Sequence, residues 1–310
     1  MKNSAAKKNS KYKITQNATL AKLTVKQYQK KLMKKFSNII CISDAVHDLD
    51  HHQTHIVAIY ITDGNISGLP EKLLVKMPNG KTKEIPTEII KDVGNGKLHF
   101  NQSDGILNDT WIGSICCMIQ MPDKKTTGII TAGHVYTKGY SNLNNGWLST
   151  EDAKNVNLDN NTSVGNWSFL MLNTLQDLAV IKLSQPNNDA SFVKFSANGY
   201  YKVTDGDVKK EKVTLISKIN GIREGFVLDY NCAWPVPYYN GTQVKNNVIL
   251  VGSVNERGDS STLSAEGDSG GCVYHTITGK MVGIILGGDK KYTWVLPIKD
   301  TLDYWEFTII

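Results

Sequence analysis

The amino-acid sequence predicts a mainly β chain with a small α+β module ahead of its β-rich part. Three observations point there. Short apolar runs recur along most of the 310 residues. Gly, Asn and Asp separate them, and few stretches carry a helical period. From about residue 105 the runs are 111–121, 128–131, 178–183, 213–219, 248–254, 271–275, 281–286 and 293–296. Many short strands with turn signals between them describe a sandwich or a pair of barrels. No internal repeat of fixed period is visible.

The earlier part reads differently. Residues 1–20 are polar and without periodicity, which predicts disorder. A helix is expected next. Thr24 and Gln27 have capping-box spacing, and Val25, Tyr28, Leu32, Phe36 and Ile39 recur at three- and four-residue steps between lysines. Residues 55–61 and 72–76 read as strands. Pro78-Asn79-Gly80 reads as a turn and 81–85 as the returning strand of a hairpin. The expected organisation is a basic extension over 1–45, a small α+β module over 46–104 and the β-rich domain over 105–310.

Composition narrows the class. Hydrophobic residues make up 40% and charged residues 21%, as in a globular domain rather than a disordered chain. No apolar run reaches the length of a membrane span, and no apolar h-region follows the basic N-terminus, so the expected compartment is the cytoplasm. The net charge of +6 is uneven: residues 1–40 hold 11 lysines and no acid, and the rest of the chain is net acidic. Such an arm is either a solvated tail or a contact for nucleic acid or anionic lipid. Five cysteines, an odd number with Cys116 and Cys117 adjacent, argue for buried reduced thiols over a disulfide framework.

The chemistry concentrates in three segments. Gly267-Asp268-Ser269-Gly270-Gly271 places a serine between glycines, where a sharp turn can expose the hydroxyl and aim backbone N–H groups at a reacting carbonyl oxygen. Alone, it also satisfies the nucleophile-elbow pattern of α/β-hydrolases. That design needs a distant histidine after the serine, and His275 is the only one that follows. A base upstream fits better. Thr131-Ala132-Gly133-His134-Val135 ends an apolar run with a histidine after small residues. Asp177 stands directly before the strand Leu178-Ala179-Val180-Ile181.

Together these segments resemble the trypsin/chymotrypsin family, whose signatures follow the order His, Asp, Ser at similar spacing. The resemblance covers about residues 105–300. It implies a chymotrypsin-like double β-barrel, one barrel over about 105–200 and the other over about 208–300. It implies a serine endopeptidase acting on protein or peptide substrates without a cofactor or metal. Ser269 would be the nucleophile, His134 the general base and acid, and Asp177 the group that orients the imidazole. The N–H groups of Gly267 and Ser269 would form the oxyanion hole. Leu263, Ser264, Ala265 and Glu266 would form the floor of the specificity pocket, opposite Leu286, Gly287 and Gly288. With no Asp at that floor, an apolar or small P1 residue is expected.

Two positions depart from the family pattern. Leu286 replaces a serine that hydrogen-bonds the triad Asp, so Asp177 needs another partner. No activation sequence supplies a freed N-terminus for Asp268, so it also needs one. Residues 57–94 resemble a small domain that precedes trypsin-like domains in some bacterial intracellular proteins. Separately, a protease without a pro-peptide cleavage signature needs another means of control, and the region before residue 105 is the expected element to recruit a regulatory partner or gate the cleft. The alternative is a catalytically silent or partner-activated binding module with the same fold. One cluster stands outside this scheme. His47, His51 and His55 recur every four residues; on a helix they would share one face fit for zinc, and otherwise they form a polar connector.

Overall fold

The computed structural model describes residues 3–49, 52–62, 67–94, 97–98, 113–137, 155–157, 163–184, 199–239, 241–255 and 257–310. Strands far outnumber helices among the described residues, so the protein is mainly β, the class expected from the sequence. The chain divides into two compact units. One comprises Met1–Asn95 with Asn231–Trp234, the other Gly96–Tyr230 with Pro235–Ile310. Among the described residues no helix is long and apolar enough to cross a membrane.

The first unit is one helix on one sheet. Helix α1 (Asn3–Lys35) precedes β1 (Ile39–Leu49), β2 (His52–Ile61), β3 (Lys72–Lys76) and β4 (Thr82–Ile90). The sheet order is β1-β2-β4-β3, with β2 and β4 parallel and the other pairs antiparallel. Leu20, Ala21 and Leu32 of α1 pack with Ile42, Val57 and Ile59 of the sheet. Each buried Leu, Ile or Val among them contributes about 1.5–3 kcal/mol. The strand and returning strand expected around the Pro78-Asn79-Gly80 turn are present as β3 and β4.

One expectation fails in this unit. Residues 3–20 are helical, not disordered, because neither Gly nor Pro interrupts positions 3–35 and good helix formers fill them. Consequently Thr24 is no N-cap: it lies mid-helix, buried, and its hydroxyl donates to the Leu20 carbonyl at 2.8 Å. Gln27 instead clasps β3, donating to the Lys76 carbonyl at 2.9 Å and accepting its N–H at 3.2 Å. Of the two readings of the histidine cluster, the helical one does not apply. His47 and His55 belong to the β1–β2 hairpin, where His47 pairs with Thr54 and His55 with Val46. Strand geometry removes the four-residue face that a zinc site would need; His51 lies outside the described residues.

The second unit contains β5 (Lys97–Leu98), β6 (Met118–Gln120), β7 (Thr127–Thr131), α2 (Gly133–Tyr136), β8 (Asn155–Asn157), β9 (Ser163–Leu172) and β10 (Asp177–Leu183). After them come β11 (Lys212–Ser217), β12 (Gly221–Tyr238), β13 (Gly241–Val254), β14 (Ser260–Ser261), β15 (Cys272–His275), β16 (Met281–Gly288), β17 (Thr293–Leu296), α3 (Lys299–Tyr304) and β18 (Thr308–Ile309). The first sheet runs β18-β6-β7-β10-β9-β8. Strands β12-β11-β15-β16-β17-β13 form the second, and a β12–β13 pairing closes them into a ring of six. Closure removes exposed strand edges. Strand β18 belongs to the first sheet, although the second barrel separates it from that sheet in the chain. Helix α3 turns the chain back, and Phe307 packs edge-on against Phe169 at 5.8 Å.

Strand β12 contains one irregularity that matters for the site. Burial alternates along it, with Gly225, Val227 and Asp229 inside, then slips by one at Asn231, where φ is 59°. Beyond the slip Cys232, Trp234, Val236 and Tyr238 are the buried positions. An extra residue in the left-handed region is a β-bulge, and asparagine tolerates that conformation.

Candidate active site

Strand pairing brings two of the predicted residues together. β7 and β10 are antiparallel neighbours with Thr131 opposite Ala179. Asp177 opens β10, and His134 follows β7 by three residues, so both stand at the same end of the pair. The Asp177 carboxylate accepts the His134 backbone N–H at 2.7 Å and lies 2.9 Å from its Nδ1. Both residues are fully buried. A carboxylate can only accept, so Nδ1 carries a proton and donates it to Asp177, which leaves Nε2 as the ring nitrogen that faces away from the carboxylate.

A tyrosine and a lysine absent from the sequence reading complete this cluster. The Tyr238 hydroxyl donates to Asp177 Oδ2 at 2.6 Å. It is the partner that Leu286 cannot be. Lys245 is fully buried, with Nζ donating to the Asn173 and Gln176 carbonyls at 2.6 and 3.0 Å and to Gln243 Oε1 at 2.7 Å. It also lies 5.1 Å from the centre of the Tyr238 ring. Burial alone would raise the Asp177 pKa. The His134 charge and hydrogen bond, the Lys245 charge and the Tyr238 hydroxyl outweigh it and bring Asp177 down to about 2. Burial and the Asp177 charge hold Tyr238 well above the usual phenol range. Burial takes Lys245 down to about 8, against the pull of Asp177.

The Gly267–Gly271 turn is held from several sides. Asp268, fully buried, accepts the Ala265 N–H at 2.8 Å and is clasped by the side-chain amide and the backbone N–H of Asn220. Asn220 therefore supplies the partner that Asp268 lacked in the sequence. Ser114 Oγ donates to the Gly267 carbonyl at 2.9 Å and accepts the Lys218 N–H at 2.8 Å. Gly267 and Gly270 have φ of 97° and 87°, a region that L side chains rarely adopt. At Gly270 a Cβ would also come within 2.2 Å of Thr131 Oγ1 and 2.4 Å of the Ser114 carbonyl. Among the described residues, neither the Gly267 N–H nor the Ser269 N–H goes to a protein acceptor.

Ser269 itself is buried beside the segment that carries His134. A Cβ on Gly113 would touch both the Val135 side chain and the Ser269 carbonyl. The Ser269 hydroxyl, however, donates to the Leu286 carbonyl at 2.8 Å rather than to the imidazole.

The expected pocket residues divide by exposure. Ser264 is buried and its hydroxyl lies 2.8 Å from Thr293 Oγ1, which also accepts the Leu263 N–H. Leu263 is half-buried, and Ala265 and Glu266 are exposed. Leu286, Gly287 and Gly288 are buried in β16, and the two glycines pair with Leu98 and Lys97 of β5. His275 lies apart from the site, stacked on Tyr201 and 2.8 Å from Glu211. All five cysteines are free thiols and buried.

No protein-family model and no curated protein matches this chain. Among solved structures the chain is similar to Thermobifida fusca protease A, at 18% identity and a TM-score of 0.41, over 68% of this chain and 98% of the other. It is similar to a Nocardiopsis protease at 16% and 0.41, over 69% and 97%. Cellulomonas bogoriensis chymotrypsin gives 17% and 0.41, over 68% and 98%.

Proposed function

We propose that the chain is a serine peptidase acting on protein or peptide substrates. The observation that carries this reading is the buried His134–Asp177 pair next to a serine turn with two unclaimed N–H groups. In the reaction the Ser269 hydroxyl turns from Leu286 to His134 Nε2, gives up its proton there and attacks the scissile carbonyl. The Gly267 and Ser269 N–H groups receive the developing oxyanion. His134 then protonates the leaving amine, and water hydrolyses the acyl-enzyme by the same steps. Asp177 stabilises the imidazolium, and Tyr238 and Lys245 keep Asp177 ionised. Leaving the Leu286 carbonyl costs one neutral hydrogen bond, about 1 kcal/mol, and regains another. A fluorophosphonate probe tests the reading: labelling should fall on Ser269 and disappear in Ser269→Ala.

A second reading has its own support. Ser269, fully buried and bonded to Leu286, fits a silent binding module, or one activated by a partner that docks on the region before residue 105. Absence of labelling in every condition, host lysate included, favours silence; labelling only with lysate favours activation.

A further inference from the structure

Following one edge of β16 leads past the candidate nucleophile. Residues Met281–Ile284 pair there with β15. Ile285 exchanges hydrogen bonds with Gly270 and Gly271, its carbonyl accepting at 2.8 Å and its N–H donating at 2.9 Å. Leu286 takes the Ser269 hydroxyl. Gly287 and Gly288 then pair with Leu98 and Lys97 of β5. Their other edge is occupied by Trp294 and Thr293 of β17, so β5 continues the line of the serine turn.

The direction of β5 matters as much as its place. The pairing is antiparallel: Lys97 lies opposite Gly288 and Leu98 opposite Gly287. A peptide in this register runs toward Leu286, and its next residue stands opposite the carbonyl that holds Ser269. Two glycines leave that edge without side chains, so a backbone can approach closely whatever its sequence.

We propose that Lys97–Leu98 is a built-in occupant of the peptide-binding edge of β16, and that an extended substrate must displace it to reach Ser269. The role given to Ser269 rests on the peptidase reading; the occupancy of the edge does not. Two paired residues make a short strand that a longer peptide can outcompete.

Binding tests this without catalysis. In full-length Ser269→Ala protein, a fluorescein-labelled peptide copying residues 95–104 should bind at least about tenfold tighter when Lys97→Pro and Leu98→Pro are added, since proline removes the N–H donors of β5. Independently, saturating unlabelled peptide should speed amide exchange at Lys97 and Leu98 of the Ser269→Ala protein by at least about tenfold, which needs no folded proline variant. Equal affinity in two folded proteins, or unchanged exchange at saturation, overturns the proposal. Displacement without fluorophosphonate labelling of the wild type would remove the peptidase reading and leave the occupied edge. Labelling without displacement would do the reverse.

Discussion

Asn220 grips Asp268 with both its side-chain amide and its backbone N–H, and it does so one residue from Ser269. Asn220→Ala deletes the amide donor and leaves a fully buried carboxylate short of one partner. Stability should fall by about 1.5–3 kcal/mol, the usual value of a hydrogen bond to a charged group. Denaturant melts read the stability. Fluorophosphonate labelling should slow in parallel, because the turn that presents Ser269 loosens. Unchanged melts and labelling would show that Ala265 and the backbone of residue 220 suffice.

Ser269→Ala should lower peptide turnover by about 10⁶-fold with an unchanged fold, as loss of a triad nucleophile does. Turnover on casein and the circular dichroism spectrum are the measurements. More than a per cent of residual activity would remove Ser269 from its role.

Asp177→Asn should cost about 10⁴-fold in kcat, because the amide favours the wrong imidazole tautomer. Tyr238→Phe keeps the ring and deletes one hydrogen bond to the carboxylate, so about tenfold is expected. A larger loss for Tyr238→Phe than for Asp177→Asn would reverse the proposed order of dependence.

Stability should carry a pH signature from Asp289. Burial, working against hydrogen bonds from Lys291 N–H, Trp294 Nε1–H and Tyr292 N–H, raises this carboxyl from 3.8 to about 6. A raised folded pKa favours the protonated native state. Its stabilisation is therefore complete below about pH 3.8 and is lost as pH rises through about 6. At about 1.4 kcal/mol per unit the loss is roughly 3 kcal/mol. Asp177 acts with the opposite sign, its share vanishing as pH falls from about 3.8 toward 2. Asp289→Asn should flatten the decline between pH 4 and 6 in urea melts taken across that range.

Much of the second unit was legible because its strands are short, apolar and separated by turn residues. His134 and Asp177 could be found because each sits at a strand end beside a recognisable segment. Tyr238 could not. Pro235 and Pro237 demote its segment as a strand, and the burial pattern changes phase at Asn231, so no single alternation predicts an inward Tyr238. Lys245 reads as an ordinary solvated lysine; only the fold gathers Asn173, Gln176 and Gln243 around it. Nothing in the sequence singled out Asn220, and Asp268 was recognised as needing a donor without any sign of which residue would supply it. The first part of the N-terminal helix was missed because polarity was taken for disorder, when the lack of Gly and Pro was the stronger local signal.

The two bonds of Ser114 have a consequence for the time course of folding. One joins residues 153 positions apart and the other 104. Contacts of such separation close large loops, and β-rich chains built on them fold in milliseconds to seconds. In a refolding experiment, Ser269 reactivity should return after the far-ultraviolet β signal, making this serine a late clock for the arrival of the native state.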